Sequence, residues 1–421
     1  MMSINNVKQL LSGKFVRNAS WLGGAELINR IFRLGTTVTL ARLFSTHDYG
    51  LVAIIYTVFD FASVFTLRGG IGAKIIQADE EDVTIICNTS YWLNWILCGA
   101  IFLLQCIAAF PIANFYKDDQ LILPLCTVAL VYLMFPFFIV NSSLIERANQ
   151  LKITAICNAT QSLISNTVTV VLAFLGMGVW AIVWAIILST PVWIIITWMH
   201  NSWRPPKSLH LTQWREVTNF GQNLLGVELL NKLRFNLDYL IVGKFLSINE
   251  LGIYYFAFNA GFGITSNTIY ALISALFPYL CEARKNRQEL KNRYFSKLKY
   301  IGIVVISTVS LQSAFAPFYV PIIFGEKWVQ GIPILINICL SVIPLTFRWT
   351  CSTLLKSIGK TQFMLKFDIC YTVVFALALI ISVRWGIFGV SATVLLVHLL
   401  MSIIFNIWAL KSIFNKNDAY I

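Results

Sequence analysis

Long apolar runs alternate with short polar links along the whole chain. A bilayer core of about 30 Å takes about 20 apolar residues per helix. Stretches of that length lie at 18–42, 50–70, 86–110, 122–141, 153–175, 178–200, 220–244, 250–280, 300–322, 333–354, 364–383 and 387–410. The pattern predicts an all-α integral membrane protein of about twelve spans. The first and seventh spans carry charges. The eighth is long for one crossing, which predicts a kink or a tilt.

The polar links are mostly basic. Lys8, Lys14 and Arg17 precede the first span, and Arg204, Lys207 and Arg215 lie in the link 200–219. Arg284, Lys285, Arg287, Lys291, Arg293, Lys297 and Lys299 crowd the link 281–299, and Lys411 and Lys416 lie in the tail. With twelve spans all of these fall on one side, so the positive-inside rule predicts both termini in the cytoplasm. The N-terminus lacks the short apolar run and small-residue cleavage site of a signal peptide. The first span is expected to act as an uncleaved anchor.

Composition agrees. Of 421 residues, 57% are apolar and 12% are charged, against about 25% charged in soluble domains. Mean hydropathy is +0.73. These values exclude a soluble enzyme and a disordered chain. The net charge of +13 suggests nucleic acid only until the cations are located; in membrane links they serve orientation, so no nucleic-acid partner is expected. The nine cysteines are scattered through apolar runs without C-x-x-C spacing. They read as packing residues, and neither a metal site nor a cofactor is expected.

The two halves of the chain can be laid on each other. Glu26-Leu27-Ile28-Asn29-Arg30 matches Glu228-Leu229-Leu230-Asn231-Lys232 at an offset of 202. The same offset sets Arg42, Ser45, Asp48 and Gly50 on Lys244, Ser247, Glu250 and Gly252. Later matches, Pro111 with Pro321 and Gly178 with Gly389, drift to 210 and 211. Six spans separate the copies, so the halves are parallel. The expected organisation is an N-terminal lobe at 1–200, a cytoplasmic linker at 201–219 and a C-terminal lobe at 220–421. Parallel repeats of this kind are a transporter plan, with a substrate path expected in a central cavity.

Charges inside spans sharpen this. An ionisable residue at mid-bilayer costs about 2.5–3.5 kcal/mol on insertion scales and normally faces a partner or a cavity. Glu26, Arg30 and Arg33 share one face of the first span, at i, i+4 and i+7. The seventh carries Glu228, Lys232, Arg234 and Asp238, the second Asp60 and Arg68, the tenth Arg348, the eleventh Asp368 and the twelfth His398. A mildly cationic cavity is the functional reading, with Arg30, Lys232, Arg33, Arg234 and Arg348 as its substrate-binding groups. The structural alternative pairs Glu26 with Arg30, Glu228 with Lys232 and Arg234 with Asp238 within their own helices. Arg68 reads as a side chain snorkelling to the interface, and His398 as a packed polar residue. Asn94, Asn158, Gln161, Asn166, Asn259 and Asn267 read mainly as interhelical hydrogen-bonding groups.

Two apparent motifs fail. Gly359-Lys360-Thr361 lacks the first glycine of a phosphate loop, since position 354 is leucine. The pair Asp118-Asp119 lies in a link of about ten residues, too small for a catalytic domain.

The run Leu40-Ala41-Arg42-Leu43-Phe44-Ser45 with Asp48-Tyr49-Gly50-Leu51, the stretch Gly69–Gln77, and Phe324-Gly325-Glu326-Lys327-Trp328 followed by Pro333 resemble loops of Wzx-type polysaccharide flippases of the MOP exporter superfamily. The resemblance covers nearly the whole chain. It implies movement of undecaprenyl-diphosphate-linked oligosaccharide, as in O-antigen, lipopolysaccharide or exopolysaccharide synthesis, from the cytoplasmic to the periplasmic leaflet by alternating access. It fits a cationic cavity at Arg30, Arg33, Lys232 and Arg234. Coupling to H+ or Na+ would fall to Asp60, Glu26 or Glu228. The expected partners are the lipid-linked glycan, membrane lipids and polysaccharide polymerase machinery. The alternatives are a drug or cation exporter of the same superfamily and a membrane polymerase or glycosyltransferase.

Overall fold

The structure is a computed structural model that describes residues 32–209 and 211–414. Among those residues every regular element is a helix. A first helix, α1, covers 32–43. Then come α2 (Thr46–Val64), α3 (Arg68–Gln77), α4 (Val83–Tyr116), α5 (Ile122–Ala129), α6 (Pro136–Arg147), α7 (Leu151–Phe174), α8 (Trp180–Ser189) and α9 (Pro191–His200). The rest are α10 (Trp214–Phe245), α11 (Ile248–Glu282), α12 (Arg287–Tyr319), α13 (Ile332–Ser357), α14 (Thr361–Ser382) and α15 (Gly386–Phe414).

Every span marked from 50–70 onward falls on one helix or on two consecutive ones. Of the first span only the C-terminal part is described. Among the described residues six helical segments are long and apolar enough to cross a bilayer, or seven if the bent segment 119–147 counts as one. That segment bends by 50° between α5 and α6. Pro136 opens α6 there, and proline withholds the amide a continuous helix needs. The long eighth span is the 35-residue α11, with Pro278 inside it.

Contacts divide the chain into two units. One holds the described part of Met1–Ser45 with Ile55–Lys232; the other holds Thr46–Ile54 with the described part of Leu233–Ile421. Two of the division points therefore fall inside helices, α2 and α10.

In the first unit, Leu67, Ile71 and Ile75 pack with Ile86, Cys87, Ile139, Val140 and Val217. α3 is pinned at both ends. Near its start Gly70 meets Gly221 of α10 so closely that a Cβ would lie 2.5 Å from the Gly221 Cα. At its end the Arg147 guanidinium donates to the carbonyls of Ile75, Ile76 and Ala78 and pairs with Glu80. These are the carbonyls a helix terminus leaves without intrahelical donors.

In the second unit α13 packs against α11, α12 and α15. α11 starts with a cap: the Ser247 hydroxyl accepts from the Glu250 amide and donates to its carboxylate, both at 3.1 Å. Here the repeat acquires a physical form. A Cβ on Gly50 would overlap the Ile248 carbonyl, and one on Gly252 would overlap the Thr46 carbonyl. The two contacts are reciprocal at the offset of 202, so glycine is required at both matched positions. Trp328 anchors the same region. It is fully buried, stacks on Phe256 at 4.2 Å and meets the Tyr49 ring edge-on at 4.8 Å.

Of the pair Asp118-Asp119, the first has a local role. Asp118 accepts from the Gln120 amide at 2.9 Å and caps a short helical turn at Asp119–Leu121.

Candidate functional site

Lys232 and Arg234 of α10 enter two separate ionic arrangements, one in each unit. In the first unit, the Lys232 ammonium donates to the Asp60 carboxylate of α2 at 2.8 Å. Both side chains stay accessible, at 33% and 42%.

In the second unit, one oxygen of Asp368, on α14, accepts from Arg234 of α10 at 3.0 Å and from Arg348 of α13 at 2.8 Å. The arginines are deeply placed, with side chains 10% and 5% accessible, whereas Asp368 is 25% accessible. Both guanidinium groups lie over the Tyr371 ring, Arg234 at 5.8 Å and Arg348 at 4.9 Å. Such cation–π contacts gain strength when water is excluded. The Tyr371 hydroxyl lies 3.3 Å from His398 Nδ1. Asp238, one turn beyond Arg234, is buried and accepts from the Tyr254 hydroxyl at 2.7 Å.

Arg234, Asp238, Arg348, Tyr371 and His398, with Phe258, Phe262 and Phe375, border a pocket of about 30 Å³, enough for a water-sized guest. Among the described residues, the buried Arg348 Nε there meets no hydrogen-bond partner. The arrangement can bind an oxyanion. Two guanidinium cations converge on one carboxylate oxygen.

The structure thus brings Lys232 to Asp60, and Arg234 to Arg348. The expected pairing within α10 misses both partners: Lys232 and Arg234 reach acids on other helices. Arg33 and Glu228 are exposed. Glu26 and Arg30 lie outside the described residues. Arg68 is not a snorkelling residue. Its guanidinium lies 5.0–5.5 Å from the ring centroids of Phe135, Phe138 and Trp193.

Of the polar residues expected to bond between helices, Asn94 and Gln161 link different segments, whereas Asn166 and Asn259 bond within their own helices. Asn94 donates to the Thr66 carbonyl, Gln161 accepts from the Trp193 indole, and Asn166 and Asn259 donate to carbonyls one turn back. The Asn267 side chain lies outside the described residues.

Sequence reasoning noticed Asp368 but did not make it a site residue. The available signal was simple: a carboxylate in an apolar span needs a cation, and Arg348 on the preceding span had none assigned.

Comparison with known proteins places this geometry. Residues 39–333 match the family described as "Polysaccharide biosynthesis protein". The chain is 24% identical over 401 residues to the lipopolysaccharide biosynthesis protein WzxC of Escherichia coli (strain K12), covering 94% of this chain and 80% of that one. Its structure resembles that of the lipid II flippase MurJ in an inward closed conformation, with a TM-score of 0.75 at 14% identity over 93% of this chain and 87% of that one. It also resembles an inward-facing multidrug resistance MATE family transporter of the MOP superfamily. There the TM-score is 0.73 at 15% identity, over 91% and 94% of the two chains. At such identities the structural likeness establishes the fold alone, an all-α multi-pass membrane fold.

Proposed function

The chain belongs to the polysaccharide biosynthesis protein family, and on that premise we propose that it is a flippase for diphosphate-linked oligosaccharide. The cargo is an undecaprenyl-diphosphate-linked glycan carried from the cytoplasmic to the periplasmic leaflet of the bacterial inner membrane by alternating access. The halves 1–200 and 220–421, joined by 201–219, are its functional lobes, and both termini are cytoplasmic. The chain does no covalent chemistry on the glycan.

One observation carries this reading: Arg234 and Arg348 converge, nearly buried, on a single carboxylate oxygen. Charge held this deep in apolar helices is expensive and marks binding or transport paths. Paired guanidinium groups suit the oxygens of a diphosphate. Lys232, Arg33 and Arg30 are the further cations assigned to the head group. Asp60, Glu26 and Glu228 are the acids through which H+ or Na+ would couple, and Asp60 already holds Lys232 at 2.8 Å. The relative WzxC is described as a lipopolysaccharide biosynthesis protein and MurJ as a lipid II flippase. Both descriptions agree with a lipid-linked cargo.

A drug exporter is the competing reading, favoured by the likeness to a MATE family transporter. Its usual cargo, a lipophilic cation, is poorly matched to a pocket bordered by two arginines.

The test is complementation of glycan export in cells, with membrane abundance followed in parallel. Arg30→Ala with Lys232→Ala, and separately Arg348→Gln, should each reduce export at normal abundance. Undiminished export from all of these variants would remove the proposed site. Raised drug resistance without glycan export would favour the exporter.

A further inference from the structure

Asp368 occupies a place that suits an incoming anion. A carboxylate between two arginines ordinarily uses both oxygens, in parallel forked hydrogen bonds. Here one oxygen serves both guanidinium groups through an Nη1 of each. Arg348 is left with an Nε–H that has no acceptor among the described residues although it is buried. A buried donor without a partner is costly, and the carboxylate that could have met it does not.

The members of the cluster also differ in access. The arginines are 10% and 5% accessible, while the carboxylate is 25% accessible. The carboxylate is therefore the least enclosed member of the cluster. On the pocket side of the arginines, the Asp238 carboxylate is already held by the Tyr254 hydroxyl. Buried ion pairs of this kind add little stability over apolar replacements of similar volume. A cluster that leaves a donor unmet has its explanation in what can replace the carboxylate.

We propose that Asp368 is an internal stand-in for an oxyanion of the cargo: it holds Arg234 and Arg348 while the site is empty and is displaced when a phosphate or carboxylate group binds them. The proposal rests on the flippase reading for the identity of the cargo, but the site itself is defined by this chain's own groups. An incoming oxyanion with two or three free oxygens accepts from Arg234 and from the Nε and Nη2 edge of Arg348, the side-on fork that matches a phosphate or carboxylate. It thereby satisfies the donor that Asp368 leaves open. The freed Asp368 carboxylate turns toward solvent. Exchange of one anion for another keeps the charge of the arginine pair compensated throughout, so loading needs no period with two bare guanidinium groups. It also gives release a driving group, because Asp368 competes for the same arginines when the site faces the far leaflet.

The test uses the full chain in nanodiscs of zwitterionic lipid. Inorganic pyrophosphate and sodium glucuronate are titrated separately, each against chloride at matched ionic strength. The first represents the lipid diphosphate and the second an acidic sugar of the glycan. Asp368→Asn should bind the effective probe at least about tenfold more tightly than the unaltered chain, since the competitor is gone. The gain should vanish in the Arg348→Gln, Asp368→Asn double variant. Equal affinity with and without Asp368, or a gain that survives loss of Arg348, overturns the proposal.

A second measurement does not depend on the folding of a variant. Carbodiimide labelling of Asp368 in the unaltered chain, followed by mass spectrometry, should rise severalfold with the effective probe and not with chloride. Labelling that stays constant as the probe saturates also overturns the proposal. Response to pyrophosphate alone assigns the site to the diphosphate, and response to glucuronate alone assigns it to the glycan. If both assays show exchange but the chain exports no glycan, the flippase reading fails and the oxyanion site stands. If glycan is exported and neither assay shows exchange, only the stand-in role of Asp368 fails.

Discussion

Lys232 and Arg234 stand two residues apart on α10, yet their ionic surroundings differ in kind. Lys232 meets Asp60 in a pair whose side chains are 33% and 42% accessible, while Arg234 shares Asp368 with Arg348 where the cations are nearly buried. Distance does not distinguish them, since the contacts run from 2.8 to 3.0 Å in both. Burial does. An exposed pair is held against competition from water and is worth about 0–1 kcal/mol. Once buried, a pair has paid its desolvation, and removing one partner strands the other at a cost of about 3–5 kcal/mol. The first pair is therefore built to open, whereas the second is built to stay compensated.

The largest expected effect comes from breaking the buried cluster on its acidic side. Asp368→Ala leaves two guanidinium groups without their shared acceptor and should destabilise the protein by about 3–5 kcal/mol, read as a fall in thermal stability in detergent. Replacing Arg234, Arg348 and Asp368 together with Met, Met and Leu should recover most of that loss while abolishing transport, because apolar packing substitutes for a compensated cluster. If the triple variant is less stable than Asp368→Ala, the contrast between the two regions is misjudged.

Arg348→Lys comes next. It keeps the charge but loses the planar fork and the ring contact with Tyr371. A stability loss of about 1–2 kcal/mol is expected from one lost charge-assisted hydrogen bond and the cation–π contact, with a larger fall in transport. Equal losses in both would mean that the guanidinium serves structure alone.

Asp60→Asn should change stability by less than about 1 kcal/mol. Exchanging the pair as Asp60→Lys with Lys232→Asp should leave stability near that of the native chain. A transport defect in the exchanged protein, measured at native abundance, would show that the sign at each position matters to cargo or coupling ion. Lys74→Ala, which removes the pairing with Glu216, should have the smallest effect, within about 0.5 kcal/mol for an exposed partner.

Much of this architecture is readable from residues alone. Span lengths follow from bilayer thickness, so the helices from α2 onward lie where the apolar runs place them. The matched Gly50 and Gly252 were visible as part of a repeat, and each meets a carbonyl of the matching segment across the contact. Partner choice was not readable. Helical spacing shows which residues share a face, but it does not show which helix that face meets. That is why the structural alternative for Arg234 pairs it with Asp238 on its own helix, whereas its partner, Asp368, lies more than a hundred residues away in sequence. Arg68 misled for a related reason. Snorkelling is the expectation for an isolated chain end, and the rings of Phe135, Phe138 and Trp193 that hold it come from two other segments of the first unit.

The most direct test of the central claim is translocation of diphosphate-linked oligosaccharide in proteoliposomes containing the purified chain, compared with Arg348→Gln and Lys232→Ala. Movement should require the protein and should fall at least about tenfold with Arg348→Gln at unchanged folding, and a proton gradient should alter its rate if Asp60 couples transport. Protein-dependent movement that is indifferent to both substitutions would contradict the assignment of these cations to the cargo, and no movement from well-folded protein would contradict the flippase itself.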